Sequence, residues 1–405
     1  MNIETWFNTE EIKRFYFPGR IFVGPGVFSR AVVLCHETNG TVAVVIDKVV
    51  HDLSFVREAL ANLGSKLSKL MLVDGAPIAQ DVDAYVRSFV NPPKVVLAIG
   101  GGSATDFAKA VVASFVFGVV DGVGLRGNVP KVCSDTKPLL VSVPTTAGSG
   151  AEASRYYVTY DQADRHKVFG KSWRLVADWI MLDPVFLRSV PDSILVSCAF
   201  DVFVHLFETL ICRQERSWIG GMFSVHGISR LMDALSRAIY DGERSDAVHC
   251  ALMETATLGG VAISNVRTGN LHEAAGALLE LTNLSHPETL FVFFRDAVEQ
   301  YLGVIGDCEA RLLAQLRLVP AFENFSALGD VIGWWEALFA KTGLEAKIRE
   351  SMVELKPSLD KVHDHVFQRV YSDKVWINKE SPLPLGEQAI RNLIERSLNR
   401  FGLSS

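Results

Sequence analysis

Two hydrophobic patterns follow one another along the chain and change at about residue 190. In the first part, short runs of consecutive β-branched and aliphatic residues alternate with amphipathic stretches. Short uninterrupted apolar runs are typical of parallel strands buried on both faces, and the amphipathic stretches are typical of helices packed on such a sheet. The predicted strands are TVAVVID (41–47), KLMLV (69–73), KVVLAIG (94–100), LLVSVP (139–144) and WIMLDP (179–184).

The second part has the pattern of a series of long helices. Apolar residues recur at helical spacing in 194–212, 223–240 and 247–265, and strand-like runs are nearly absent after Pro191. We therefore predict an α/β N-terminal domain with a Rossmann-like parallel sheet over residues 1–190. An all-α C-terminal domain is predicted over residues 191–405.

Composition narrows the classes of protein further. The chain has 405 residues, which suffice for two domains with separate cores. Its net charge of −6 and the absence of any Lys/Arg run argue against a nucleic-acid partner. The N-terminus has no apolar signal-peptide core, and no uncharged run reaches membrane-spanning length, so we expect a cytoplasmic protein without a membrane partner. Scattered cysteines favour a reducing compartment; they are Cys35, Cys133, Cys198, Cys212, Cys250 and Cys308.

Three consecutive glycines, Gly100, Gly101 and Gly102, join a predicted strand to a predicted helix. They allow a ligand close to the backbone, and the following helix offers free N–H groups and the positive end of its dipole. A dinucleotide pyrophosphate fits such a turn, although a plain tight strand–helix turn is the alternative. Ser103 or Thr105 could cap the helix, and Asp106 falls in its first turn.

Two further segments suit the same cofactor. Asp47 ends a strand, where a carboxylate could bind the ribose hydroxyls and repel a 2′-phosphate; this favours NAD over NADP, but such an acid is also a common helix cap. The loop PTTAGSGAEASR follows the strand that ends at Pro144. Its Thr145, Thr146 and Ser149 place hydroxyls at the carboxyl end of a strand, where open α/β sheets bind ligands.

Four candidate metal ligands lie in the second part. Asp201 and His205 are four residues apart in DVFVHLFE, so a helix would present both on one face. His272 and His286 lie further along the chain. One carboxylate and three imidazoles suit Zn²⁺ or Fe²⁺ with a position left for a substrate oxygen. An Asp/His pair at this spacing is also common on a solvated helix face.

Together these segments resemble the iron-containing (group III) alcohol dehydrogenase superfamily. The resemblance runs from about Phe15 to beyond His286, and the order and spacing of its blocks match. The blocks are IFVGPG, GGGSATDFAKA, VPTTAGSGAE, the LDP that contains Asp183, DVFVHLFE and the His272/His286 pair.

The resemblance implies the dehydroquinate synthase-like architecture of that superfamily and a set of site residues. It implies that the glycine loop holds the pyrophosphate, with Gly101, Gly102, Ser103 and Asp106 at the matching positions, and that Thr145 and Thr146 contact the cofactor. It also implies a divalent metal, Fe²⁺ or Zn²⁺, on Asp201, His205, His272 and His286. We also expect a small-molecule alcohol or aldehyde as the substrate and a cytoplasmic location. The expected assembly is a homo-oligomer, by default a dimer.

Two positions depart from the common pattern. Family members often carry a further His at the position of Gly276, so its role in proton transfer or cofactor placement must be supplied elsewhere or be absent. His363 and His365 form an HxH that could compensate, although surface histidines are the alternative. Arg155 could bind a substrate that carries a carboxylate or phosphonate. In this feature the chain is similar to phosphonoacetaldehyde reductases and to the oxidase of a 3-deoxy-octulosonate sugar acid. The alternative is that Arg155 forms a salt bridge within the protein.

The predicted function is reversible hydride transfer between a nicotinamide cofactor and an alcohol/aldehyde pair, with the metal as Lewis acid. Two alternatives stay open. A dehydroquinate synthase-like cyclase would also use NAD and a metal, but AGSGAEASR does not resemble its lysine-bearing loop. A catalytically retired nucleotide-binding homologue is favoured by Gly276 and opposed by the intact set of four ligands.

Overall fold

A computed structural model describes residues 15–118, 137–163, 167–212, 218–302, 304–355, 359–373 and 385–403. Cys133 and the N-terminal segment 1–14 lie outside the described residues, so the expectations that involve them stay predictions.

The described strands are β1 (Ile21–Val23), β2 (Val42–Asp47), β3 (Leu67–Val73), β4 (Val95–Gly100), β5 (Leu139–Pro144), β6 (Tyr156–Tyr160), β7 (Lys167–Lys171) and β8 (Trp179–Leu182). Six of them form a parallel sheet at the centre of the first part, in the strand order β1-β8-β5-β4-β2-β3. A separate antiparallel pair is formed by β6 and β7. All five predicted strands are present, and the predicted α/β fold class is confirmed.

Helices account for most of the remaining described residues. Those of the first part are α1 (Val27–Glu37), α2 (Lys48–His51), α3 (Ser54–Ala61), α4 (Ala79–Arg87) and α5 (Gly102–Phe117). Those of the second part are α6 (Asp192–Ile211), α7 (Trp218–Ile239), α8 (Asp246–Asn265), α9 (Asn270–Leu279), α10 (His286–Tyr301), α11 (Gly306–Leu316), α12 (Leu328–Lys341), α13 (Leu344–Leu355), α14 (Leu359–Phe367) and α15 (Glu387–Arg400). The all-helical character predicted for the second part is confirmed over its described residues.

The chain divides into two compact units. Over the described residues, the sheet unit lies within Phe17–Val190 and Arg237–Ser264, and the helical unit lies within Met1–Tyr16, Pro191–Ser236 and Asn265–Ser405. The sheet unit thus includes a stretch that the sequence analysis assigned to the second domain. Tight contacts hold that stretch: a Cβ on Gly260 would lie 1.9 Å from the carbonyl oxygen of Gly150, so the two backbones touch.

The core of the sheet unit consists of the central strands and the helices on them. Every residue from Val95 to Ile99 is fully buried, which explains the unbroken apolar run in the sequence. Asp183 fixes the edge of this sheet, because its carboxylate accepts hydrogen bonds from the backbone N–H groups of Gly26 (2.9 Å) and Phe28 (3.1 Å). The LDP motif therefore ties the end of β8 to the start of α1.

Among the described residues, two helices are long and apolar enough to cross a membrane by length and composition, namely α6 and α8. In their most apolar windows, 89% and 72% of the residues are buried inside the protein, as in core helices. Each also carries carboxylates within its span, including Asp201 in α6 and Glu254 in α8. The expectation of no membrane partner stays a prediction.

Candidate metal centre and nucleotide-binding loops

Helix α6 holds the first two candidate ligands in a rigid setting. The helix is apolar on almost all sides, and its Phe200 ring lies 5.0 Å from the ring of Trp335 and 5.1 Å from that of Phe294. Asp201 and His205 follow on the same helix and are only 6% and 5% exposed. Helical spacing brings His205 Nε2 to 3.6 Å from Asp201 Oδ1. The two side chains are thus part of a packed core and not of a solvated helix face.

The other two histidines come from the starts of two further helices. His272 lies in the first turn of α9, and His286 is the first residue of α10. A capping box fixes the start of α10, because Ser285 and Glu288 satisfy each other's backbone N–H groups. His272 Nε2 lies 3.9 Å and His286 Nε2 3.8 Å from Asp201 Oδ1.

The four side chains therefore converge on one carboxylate oxygen. Donor atoms of Asp201, His272 and His286 all lie within 4.8 Å of one another. His205 is outside that mutual set but stacks on His272, with ring centroids 4.9 Å apart. Ligands of a tetrahedral Zn²⁺ lie about 3.4 Å apart when each is roughly 2.1 Å from the metal. The separations found here are close to that spacing.

The donor set suits a divalent transition metal in chemistry as well as in spacing. Within the described part of the chain, the buried Nε2 of His272 has no hydrogen-bond partner. Burial lowers the pKa of His205 to about 4, with Asp201 and Glu208 opposing that effect, so its imidazole is neutral at pH 7. A neutral imidazole is the form that binds a metal. The residues present fit a metal of the Fe²⁺ or Zn²⁺ type.

Glu208 is a functional candidate that the sequence analysis missed. Its carboxylate lies 2.5 Å from Nδ1 of His272 and also accepts backbone N–H bonds from the start of α9. Burial alone lowers the pKa of His272, but Glu208, Asp201 and Glu273 together raise it. Position 208 is seven residues after Asp201 on the same helix face, so its spacing was the available signal.

The glycine loop connects β4 to α5 at the carboxyl edge of the sheet. Gly100 has a φ of 154°, and a Cβ there would lie 2.4 Å from the carboxylate of Asp47. A Cβ on Gly102 would lie 2.8 Å from Oγ of Ser149. The loop is therefore glycine-rich because neighbouring side chains already fill the space around it.

The threonine loop lies beside the glycine loop, because β4 and β5 pair directly. The backbone N–H of Thr145 donates to the carbonyl of Gly100 at 3.0 Å, which joins the two loops. A Cβ on Gly101 would lie 3.2 Å from the hydroxyl of Thr146. Thr146 and Ser149 are half-buried and Thr145 is buried. Three predicted cofactor residues of this loop thus border the glycines.

The caps predicted around this loop are not found. Gly101 occupies the N-cap position of α5 and no side chain caps it, so the prediction of a Ser103 or Thr105 cap was wrong. The hydroxyl of Thr105 instead points into the core, 3.5 Å from that of Ser142. Asp47 also does not cap the helix that follows it. Its carboxylate accepts a hydrogen bond from Gly101 N at 2.7 Å, and burial raises its pKa despite that bond.

Asp106 faces the protein interior. Its carboxylate accepts from the backbone N–H of Val158 at 3.1 Å, and burial raises its pKa to about 7, with Lys109 opposing that effect. Lys109 is fully buried, and its ammonium donates to the carbonyls of Ser154 (2.5 Å) and Tyr156 (2.7 Å). The first turns of α5 are thereby fastened to the loop that leads into β6.

Arg155 lies next to two aromatic rings in the sheet unit. Its guanidinium is 5.1 Å from the ring centroid of Tyr156 and 4.8 Å from that of Trp173, and it donates to the Tyr156 hydroxyl at 3.0 Å. Its Nε is buried and has no hydrogen-bond partner among the described residues. The salt-bridge alternative is not tested and stays open. The role of Arg155 in substrate binding stays a prediction.

Gly276 and the two histidines of the HxH are found in the helical unit. Gly276 is buried in α9. His365 Nε2 lies 3.0 Å from Glu280, and His363 Nε2 lies 3.3 Å from the carbonyl of Arg391. Both histidines of the HxH lie on α14 and contact residues of other segments of the helical unit, and neither belongs to the group around Asp201.

Comparisons with known proteins agree with the fold and with the motifs. The family model described as iron-containing alcohol dehydrogenase matches residues 18–184. The 4-hydroxybutyrate dehydrogenase of Clostridium kluyveri is 25% identical over 247 residues, which are 58% of this chain and 64% of that protein. The match thus spans less than two thirds of that relative's length.

Solved structures show the same fold at low sequence identity. An iron-containing alcohol dehydrogenase from Thermococcus thioreducens has a TM-score of 0.77 at 19% identity and covers 95% of this chain and 100% of its own. The sulfoacetaldehyde reductase from Bifidobacterium kashiwanohense, solved with NAD⁺, has a TM-score of 0.79 at 16% identity, with 96% and 99% covered. Together, the sequence match and the shared fold confirm the predicted resemblance to the iron-containing (group III) alcohol dehydrogenase superfamily.

Proposed function

We propose that the protein is a metal-dependent NAD(P) oxidoreductase that transfers a hydride reversibly between an alcohol and an aldehyde or ketone. One observation carries the proposal. The Nε2 atoms of His205, His272 and His286 lie 3.6, 3.9 and 3.8 Å from Asp201 Oδ1. Four buried or half-buried ligands of this kind have no evident structural purpose in an apolar helix core, since each polar group costs free energy there.

The proposed metal ligands are Asp201, His205, His272 and His286. A divalent ion held by them would supply Lewis acidity to a substrate oxygen, which is the chemistry that both alcohol oxidation and carbonyl reduction need. The chain's own share is positioning: α6 is fixed by its aromatic core contacts, and the capping box fixes the start of α10. The neutral state of His205 keeps its ring available as a ligand.

The proposed cofactor site is formed by the glycine and threonine loops of the sheet unit. We propose that Gly100–Gly102 and the N-terminus of α5 receive the pyrophosphate, with Ser103, Thr145, Thr146 and Ser149 as hydroxyl partners. Asp47 at the end of β2 supports NAD over NADP, because its carboxylate borders the glycine loop and repels a 2′-phosphate. Asp106, which was predicted to bind the cofactor, instead accepts a hydrogen bond from Val158 and joins α5 to β6, so we assign it a structural role.

An anionic substrate is proposed from Arg155 together with two relatives. The curated relative is named for 4-hydroxybutyrate and the structural relative for sulfoacetaldehyde, and both molecules carry an acid group. An arginine held against two aromatic rings keeps its charge and its planar donors, which suits such a group.

The proposed function is tested with purified protein loaded with Fe²⁺ under anaerobic conditions, or with Zn²⁺. NADH fluorescence quenching measures cofactor binding, and NADH absorbance measures turnover of neutral and anionic aldehydes. We expect metal and cofactor to bind and at least one aldehyde to be reduced. Cofactor binding without metal binding would instead favour a retired nucleotide-binding homologue. We further propose a cytoplasmic homodimer without nucleic-acid or membrane partners, and light scattering tests the subunit number.

A further inference from the structure

Glu208 is a buried carboxylate with three hydrogen-bond partners on one neighbouring helix start. It is 6% exposed and lies three residues after His205 on α6. It accepts from the backbone N–H groups of Gly269 (2.9 Å) and Leu271 (3.1 Å), and it lies 2.5 Å from Nδ1 of His272. All of these residues belong to the helical unit.

The backbone contacts give α9 a cap that its own sequence does not provide. Gly269 is the N-cap residue and has no side chain to accept a hydrogen bond. A carboxylate at this end satisfies free N–H groups and interacts favourably with the helix dipole. Glycine at position 269 leaves room for this carboxylate, because a Cβ there would lie 2.8 Å from Oε1 of Glu208 and would force it to shift. Helix α6 therefore holds the start of α9 through one side chain.

The contact between Glu208 and His272 determines which nitrogen of the His272 ring carries the proton. A carboxylate 2.5 Å from Nδ1 accepts the proton on that nitrogen. The lone pair of a neutral ring is then on Nε2, the atom that lies 3.9 Å from Asp201 Oδ1. Carboxylates that bind the far nitrogen of a metal-bound imidazole orient the ring and make it a stronger ligand.

We propose that Glu208 is a positioning residue that sets the metal affinity of the centre. It fixes the tautomer and the orientation of His272, and it joins the two helices that carry Asp201 and His272 before any metal binds. The inference rests on the proposed function, since it requires that the four-residue centre takes a metal.

The alternative is a purely structural cap, in which case loss of Glu208 would lower the stability of α9 without a specific effect on metal binding. Three variants separate the two. Glu208→Gln keeps the size but removes the charge and one acceptor, and Glu208→Ala removes all three bonds. Gly269→Ala leaves Glu208 intact and displaces its carboxylate.

Asp296→Asn is the matched control. Asp296 is a buried carboxylate of the same unit, 3% exposed, and its partners are Ser397, Arg396 and Arg400. None of these residues belongs to the proposed centre. The control therefore reports the loss of a buried carboxylate that is unrelated to the ligands.

The experiment measures the Zn²⁺ affinity of metal-free, full-length protein by competition with a chromophoric chelator. We expect the dissociation constant to rise about tenfold in Glu208→Gln and about 100-fold in Glu208→Ala, the range found for such partners. Gly269→Ala should weaken binding in the same direction, and Asp296→Asn should leave it unchanged. Should Glu208→Ala not fold, the other two variants still carry the test.

A second measurement reports the tautomer of the His272 ring. In ¹⁵N-histidine-labelled metal-free protein, the His272 signals should indicate protonated Nδ1, and in Glu208→Ala they should shift toward a mixture of tautomers. If wild-type protein binds Zn²⁺ and the three variants bind it equally well, the inference about Glu208 is overturned while the proposed function stands. If the wild type binds no Zn²⁺, the proposed metal centre is overturned first, and this inference with it.

Discussion

The carboxylate of Asp47 accepts a hydrogen bond from the backbone N–H of Gly101 at 2.7 Å. The contact joins the end of β2 to the glycine loop that follows β4, the neighbouring strand in the sheet. A negative charge is thereby fixed beside the loop proposed to hold the cofactor phosphates. This charge has a direct consequence for the choice between NAD and NADP.

Replacing Asp47 by Asn should weaken the discrimination against NADPH. The substitution removes the charge that would repel a 2′-phosphate, so we expect the ratio of the NADPH and NADH dissociation constants to fall by about tenfold, which corresponds to roughly 1.4 kcal/mol. Fluorescence titration with both cofactors measures the ratio. Asp52→Asn, on an exposed carboxylate of the following turn, serves as the control. An unchanged ratio in Asp47→Asn would remove the proposed role.

Arg155→Ala should change substrate selection and leave catalysis of neutral substrates intact. If the guanidinium binds an acid group, we expect KM for anionic aldehydes to rise by roughly tenfold to 100-fold, since a hydrogen bond to a charged group contributes about 1.5–3 kcal/mol. Steady-state assays with paired anionic and neutral aldehydes measure the effect. Arg20→Ala is the matched control, because that guanidinium also lies over an aromatic ring, 5.9 Å from the centre of Trp179. Equal effects on both substrate classes would contradict the idea.

Lys109→Met should destabilise the sheet unit strongly. The ammonium is fully buried and bonded to Ser154 and Tyr156, and its removal leaves these acceptors unsatisfied and Asp106 without its cation. We expect a loss of about 3–5 kcal/mol in the free energy of unfolding, measured by urea denaturation. Lys48→Met removes an exposed ion pair with Asp74 and should cost about 0–1 kcal/mol. Similar losses of unfolding free energy in both variants would show that buried Lys109 contributes no more to stability than an exposed ion pair does.

His249→Leu should stabilise the protein, and more so in acid. His249 is fully buried, and neither ring nitrogen has a hydrogen-bond partner within the described part of the chain. Burial lowers its pKa below the usual value of 6.5, so the unfolded chain takes up a proton first as the pH falls. The folded wild type therefore loses stability below about pH 6.5, and the leucine variant avoids this loss.

Thermal unfolding of His249→Leu at pH 7.5 and 5.5 checks this prediction. We expect a higher Tm at both values, by about 2–4 °C for each kcal/mol gained, with the larger difference at pH 5.5. His51→Leu, on a partly exposed histidine, is the control. A lower Tm for His249→Leu at both pH values would contradict the account of this residue.

The fold was predictable where the sequence pattern is set by burial on both faces. All five predicted runs form strands. Four of them are continuous and apolar because they are buried in the sheet, whereas KLMLV forms the edge strand β3, in which Leu70 and Leu72 are exposed. The three-residue β1 was too short to detect. The β6–β7 pair was missed because YYVTY and KVFGK mix polar and apolar residues and were not separated from loop sequence.

The sequence indicated the four proposed ligands but not the side chains that support them. Asp201 and His205 are linked by helical spacing, whereas their meeting with His272 and His286 depends on how three helices pack. The role of Glu208 depends on the same packing, since its partners belong to another helix. Asp106 faces the protein interior, where Val158 and Lys109 are its partners. The spacing of residues in the sequence does not reveal such partners.

The central claim is that Asp201 and the three histidines bind one divalent metal ion, and equilibrium dialysis against Zn²⁺ tests it most directly. The wild type should bind one ion per chain, Asp201→Ala should lose it, and the buried-carboxylate control Asp296→Ala should keep it. An Asp201→Ala protein that retains the full stoichiometry, or a wild type that binds none, would contradict the account.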